Sequence, residues 1–182
     1  STDFTHALRQ NRGDGEALAF AAAQQQTPQL QLLVAELMIA EGSGDEGLAL
    51  LKKLSSTRGD VGMRATWLIS LIHFDNEDFD TAKRLVNNHS ELSRHPLGKE
   101  TLARIALKEG NNRLADELYG SIEEESTEAK SYLARKAFAE KNWHRARELL
   151  VELLKEYPNN ELLRSNIRIV DEEERKLDVV NL

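Results

Sequence analysis

The pairs Ile69-Ser70, Leu102-Ala103 and Leu133-Ala134 recur at steps of 33 and 31 residues, and Ala82, Ala115 and Ala146 follow at the same two steps. In each copy the second small residue lies twelve positions after the first. A period close to ~34 residues marks a repeated helix-turn-helix unit, because one such unit cannot bury its apolar face alone and must pack on its neighbour. The period predicts a stacked helical array. It points to binding as the kind of work done, without naming a partner.

The breaks between apolar-periodic segments are regular. Asn11 to Gly15 separates a short amphipathic stretch from the alanine-rich segment Glu16 to Gln26. Thr27-Pro28 then predicts a helix start, since proline in the first turn lacks only an N–H that would have no partner there. Leu30, Leu33, Val34, Leu37 and Met38 form an apolar stripe, Gly42-Ser43-Gly44 ends it, and Leu48, Leu50, Leu51 and Leu54 supply the partner helix. Further pairs are expected from Asp60 to Asp75 with Asp78 to Ser90, from Pro96 to Glu109 with a second helix reaching Glu124, and from Glu128 to Glu140 with Trp143 to Tyr157. The segment from Glu161 to Lys176, with Leu162, Leu163, Ile167 and Val170 placed on one face, reads as a capping helix with a charged end. No segment alternates as a strand would.

With 182 residues, one continuous domain is expected: a divergent N-terminal pair over 1–27, recognisable repeats over 28–158, a capping helix over 159–177 and a tail over 178–182. A net charge of -7, from 31 acidic and 24 basic residues, argues against a nucleic-acid partner. The absence of cysteine removes disulfides, thiolate metal sites and cysteine nucleophiles. No apolar run approaches the ~18 residues of a membrane span. The chain opens on Ser1 without a basic-then-apolar leader, and a trimmed or processed piece is expected. Its compartment stays open between cytoplasmic and periplasmic or extracytoplasmic.

These residues resemble the tetratricopeptide repeat family. The likeness is clearest over 130–158, where Leu133, Ala134, Trp143, Ala146, Leu150, Leu154 and Pro158 fall at the family's spacing. Ile69, Ser70, Phe79, Ala82 and Val86 form a second match, and Leu102, Ala103, Ala115, Tyr119 and Ile122 a third. Val34, Ala35, Gly47, Leu51 and Leu54 keep the register 35 residues upstream. The resemblance implies an all-α fold: an α-solenoid of about five antiparallel helix pairs in a right-handed superhelix, closed by the capping helix. Ala35, Ser70, Ala103 and Ala134 on first helices, with Gly47, Ala82, Ala115 and Ala146 on second helices, would let the two helices of a pair approach closely.

The resemblance further implies that first helices line a concave groove. The partner-binding residues would be Trp67, Leu71, Phe74, Arg104, Leu107, Lys108, Arg135 and Phe138, within a wider set that includes Leu32, Glu36, Ile39, Glu100 and Ser131. Aromatic side chains would supply flat contact area and the basic ones would hold carboxylates or carbonyls. Buried packing is the competing reading for Trp67, and pairing with a nearby acid for Arg104 and Arg135. Lysine and asparagine at the positions some family members use to grip a terminal carboxylate are missing, which argues against a chaperone-tail receptor.

Catalytic and metal chemistry is not expected. His6, His73, His89, His95 and His144 show no paired-ligand spacing, and Asp75, Asp78 and Asp80 lack the glycine and closing glutamate of a calcium loop, so helix capping is the reading for them. Neither Gly13-Asp14-Gly15 nor Gly42-Ser43-Gly44 continues into a phosphate-binding signature. The acidic run Glu123-Glu124-Glu125 with Glu128 reads as a solvated face. The expected protein is therefore a non-catalytic interaction scaffold for a peptide or protein segment in a multi-protein assembly, with no cofactor, metal, small-molecule substrate or nucleic acid. The alternative is a soluble structural domain of a larger, membrane-anchored protein that self-associates or acts as a spacer.

Overall fold

A computed structural model describes residues 27–180, with side chains through Lys176. The pair expected over 1–27 lies almost wholly outside the described residues, as do His6 and the Gly13-Asp14-Gly15 turn. Among the described residues every regular element is an α-helix and none is a strand. The helices are α1 (Pro28–Ala40), α2 (Gly44–Leu54), α3 (Asp60–Asp75), α4 (Phe79–Asn88), α5 (Pro96–Lys108), α6 (Asn112–Gly120), α7 (Thr127–Ala139), α8 (Trp143–Glu156) and α9 (Glu161–Val180).

Two helix ends differ from expectation by more than two residues. The helix drawn to Glu124 stops at Gly120, and residues 121–125 form turns. Ile122 is nevertheless buried, so the apolar spacing there reflects packing of a turn rather than helix. The last helix runs to Val180, beyond the expected end at 177.

One turn recurs. A residue with positive φ stands two positions past the end of α1, α3, α5 and α7: Gly42 at 88°, Glu77 at 60°, Gly110 at 76° and Lys141 at 57°. The next residue in each case, Ser43, Asp78, Asn111 or Asn142, returns its N–H to the carbonyl five residues back, at 2.8–2.9 Å. That is the Schellman closure of a helix C-terminus. Asp78, Asn111 and Asn142 then cap the following helix through a side-chain oxygen, accepting from Thr81, Leu114 and Arg145 N–H. Glu77 and Lys141 adopt a backbone region that favours glycine, so the repeated turn is held by its neighbours and not by local preference.

The helices gather into two compact units divided at Thr101 and Leu102, within α5. In the first unit α1 packs on α2, α2 on α3 and α3 on α4. Its core joins Leu32, Ala35, Leu51, Leu54, Val61, Ala65 and Ile69. Leu32, expected in the groove, belongs to this core at 6% exposure. In the second unit α6 packs on α7, α7 on α8 and α8 on α9, around one cluster built on Ala103, Tyr119, Ile122 and Ala129 and another on Ala134, Ala146, Leu149, Leu153 and Val170.

Every small residue singled out by the period is buried. Gly47 explains why: a Cβ there would stand 2.9 Å from the Ala35 carbonyl oxygen and 2.7 Å from Cγ1 of Ile39. The two helix backbones meet at that register, which leaves no room for a side chain.

Candidate functional site

In the first unit, Trp67, Leu71 and Phe74 follow one another by about one turn along α3 and are all half-buried. The rings of Phe74 and Phe79 lie 5.6 Å apart. Part of each side chain is thus withdrawn from solvent.

In the second unit the basic residues divide. Arg104 on α5 grips Glu128 on α7 with both Nε and Nη2, and Tyr119 on α6 donates to the same carboxylate at 2.7 Å. Its expected role as a free cation for a partner's carboxylate is therefore taken by an internal acid. The acidic run is not uniformly solvated either: Glu123 holds Arg145, and Glu128 joins three helices. Leu107 packs beside Ala103 and Tyr119, and Lys108 is exposed.

The Glu128 carboxyl carries a pH signature. Burial alone would raise its pKa, but the hydrogen bonds from Arg104 and Tyr119, with the charges of Arg104 and Arg135, together hold it below the usual carboxylate range. A depressed folded pKa stabilises the fold fully above the unfolded value of ~4.3, and that stabilisation is lost as pH falls through the lower folded value. Glu128→Gln is expected to cost about 1 kcal/mol at neutral pH, a figure discounted for partial exposure. The stability gap between wild type and variant should close as pH drops below ~4.3, measured by urea unfolding across that window.

Arg135 and Phe138, both on α7, are exposed groove residues, as is Lys108 on α5. Nε of Arg135 donates to the Ser131 carbonyl at 3.3 Å, and among the described residues no carboxylate lies within ion-pair distance of it. Two hollows flank it. On one side, a hollow of about 570 Å³ includes Asp116, Tyr132, Lys136 and Glu140. Its charges are already matched: Tyr132 donates to Asp116 at 2.8 Å, and Lys136 lies 2.6 Å from Asp116 and 3.7 Å from Glu140.

On the other side is an apolar trough of about 310 Å³ between α7 and α9. Ser131, Arg135 and Phe138 form one wall, Leu162 and Asn166 the other, and Leu150 and Leu153 of α8 lie beneath. Phe138 is 37% exposed and stands edge-on to Trp143 at 5.2 Å. Leu162 is 69% exposed.

Leu162 is where the sequence reading needs correction. Leu163, Ile167 and Val170, spaced i, i+4 and i+7, form the stripe that packs on α8. Leu162 precedes that stripe by one residue, which at ~100° per residue turns it off the packed face and into the trough wall. The sequence shows a leucine on a capping helix, and the structure turns it away from the face expected for it.

The histidines of the first unit act locally. Nδ1 of His89 accepts the Leu92 N–H, Nδ1 of His95 accepts the Leu97 N–H, and His73 pairs with Asp78. Among the described residues no group of three or more histidine, aspartate or glutamate side chains is placed to hold a metal ion. No protein-family model matches the chain, and no curated protein matches it.

Proposed function

We propose that this chain is a non-catalytic scaffold: a divergent tetratricopeptide-like α-solenoid that holds a peptide or protein segment against the first helices of its pairs, within a larger assembly. The four-fold recurrence of one Schellman turn, in step with the buried small residues, supports the repeat part of the reading. The binding part is carried by the trough between α7 and α9, where Phe138 and Leu162 are left in solvent beside Arg135, which has no carboxylate within ion-pair distance among the described residues. Exposed apolar side chains rimmed by polar ones are how an interaction surface differs from ordinary surface. The α3 face with Trp67, Leu71 and Phe74 would be a second, separate contact area.

Crosslinked affinity capture from the source cells tests this directly, using the wild type and the double variant Phe138→Ala/Leu162→Ser. Both substituted side chains are exposed, so the variant should keep its helical circular dichroism. The proposal expects discrete proteins held by the wild type and reduced at least tenfold on the variant, since apolar anchors in a pocket dominate interface energetics. Capture of the same proteins at equal yield by both, or of nothing above a blank surface, would contradict it.

A further inference from the structure

Resting on the scaffold reading above, we infer that the α7–α9 trough takes an acidic and apolar segment that passes through it. A leucine, isoleucine or phenylalanine side chain of that segment sits between Phe138 and Leu162, and an aspartate or glutamate of the same segment pairs with Arg135.

Charge complementarity carries the acid. Among the described residues Arg135 is the one charged side chain lining the trough. The basic residues around it are provided for: Arg104 with Glu128, Lys130 with Glu156, Lys136 with Asp116, Arg145 with Glu123. Among these neighbours Arg135, which has no carboxylate within ion-pair distance among the described residues, is the one that lines the apolar trough. Guanidinium is also the cation suited to a planar, bidentate carboxylate contact.

The trough geometry selects a passing segment over a chain end. Its α7 wall runs from Ser131 to Phe138, about 10 Å at ~1.5 Å per residue. Arg135 stands in the middle of that wall with a turn of helix on each side, so the carboxylate it meets lies within the segment. Ser131 and Asn166 offer a hydroxyl and an amide on opposite walls, where they can bond the main chain of whatever lies between. The floor of Leu150 and Leu153 accepts an apolar side chain and offers nothing polar to a second charge.

The test is a display library of random 12-residue segments held between fixed flanks, so that no free terminus is presented. It is selected on the whole chain and on Arg135→Gln, Arg135→Glu and Phe138→Ala, with helical content checked for each. The expected wild-type selection pairs an aliphatic or aromatic residue with an aspartate or glutamate within four positions. That acidic preference should fall to the library baseline on Arg135→Gln and turn to lysine and arginine on Arg135→Glu. Individual selected segments should bind Phe138→Ala about tenfold more weakly.

Apolar segments without an acidic preference, or a preference that survives Arg135→Gln, would overturn this inference while leaving the scaffold reading intact. An empty selection alongside a positive cellular capture would do the same. An empty selection with a negative capture would overturn both. Self-association abolished by Phe138→Ala would put a second copy of the chain in the trough and overturn the assignment of a foreign segment.

Discussion

Gly98→Ala is expected to destabilise the chain by about 2–3 kcal/mol, in the upper part of the range for overpacked sites. In most helices the same exchange gains roughly 1 kcal/mol, because alanine is the better helix former. The sign reverses here because a methyl at position 98 would stand 2.0 Å from the Leu92 carbonyl oxygen and 3.1 Å from Cγ1 of Val86. That oxygen cannot swing aside easily. It belongs to a segment pinned by the His89 and His95 imidazoles, at 3.3 and 3.2 Å, and the Leu92 side chain is fully buried. Gly62 repeats the arrangement in the first turn of α3, where a Cβ would lie 1.9 Å from the Thr57 carbonyl oxygen. Gly120 is the control, with nothing within 4 Å of its added Cβ. Urea unfolding should show lower midpoints for Gly98→Ala and Gly62→Ala and none for Gly120→Ala. Wild-type stability in Gly98→Ala would contradict this account of the packing.

Ala146→Leu is expected to cost about 2–3 kcal/mol, and Ala82→Leu and Ala115→Leu similar amounts, because each forces three further carbons into a closed helix–helix contact. All three alanines are 0% exposed. The shared register matters more than the individual values: Gly47 marks where the backbones of one pair meet, and the three alanines lie at the corresponding positions twelve residues after Ser70, Ala103 and Ala134. Glu152→Leu, on an exposed position of α8, should stay within ~0.5 kcal/mol of wild type. Thermal or urea unfolding of the four variants checks this. If the alanine variants scatter, with one of them neutral, the positions are not equivalent and the repeat is only apparent.

The scaffold of the fold was legible because close packing constrains residue size, and size is written in the sequence. Ser70, Ala103 and Ala134 with their partners sit where the period placed them, and Thr27, Asp78, Asn111 and Asn142 cap helices as their side chains allow. Gly62 and Gly98 were not legible as contacts. They fall in the first turns of helices, and the carbonyls they meet belong to preceding turns whose path depends on the whole unit.

The candidate site was legible only in part, for a similar reason. Arg135 and Phe138, which the family resemblance places in the groove, line the trough. Arg104, placed there by the same resemblance, is held by Glu128 at a separation of 24 residues, a pairing that depends on how α5, α6 and α7 pack. Leu162 was visible as an apolar residue on a helix, but a shift of one residue decides whether such a side chain packs inward or faces a partner.

Backbone amide chemical-shift mapping of a captured partner segment against the labelled chain shows where the segment lies. The account predicts that the perturbed amides cluster over 131–138 on α7 and 162–169 on α9, and that the cluster fades at equal segment concentration in Phe138→Ala. Perturbations gathered elsewhere in the second unit, or a cluster on α7 and α9 that Phe138→Ala leaves unchanged, would contradict it.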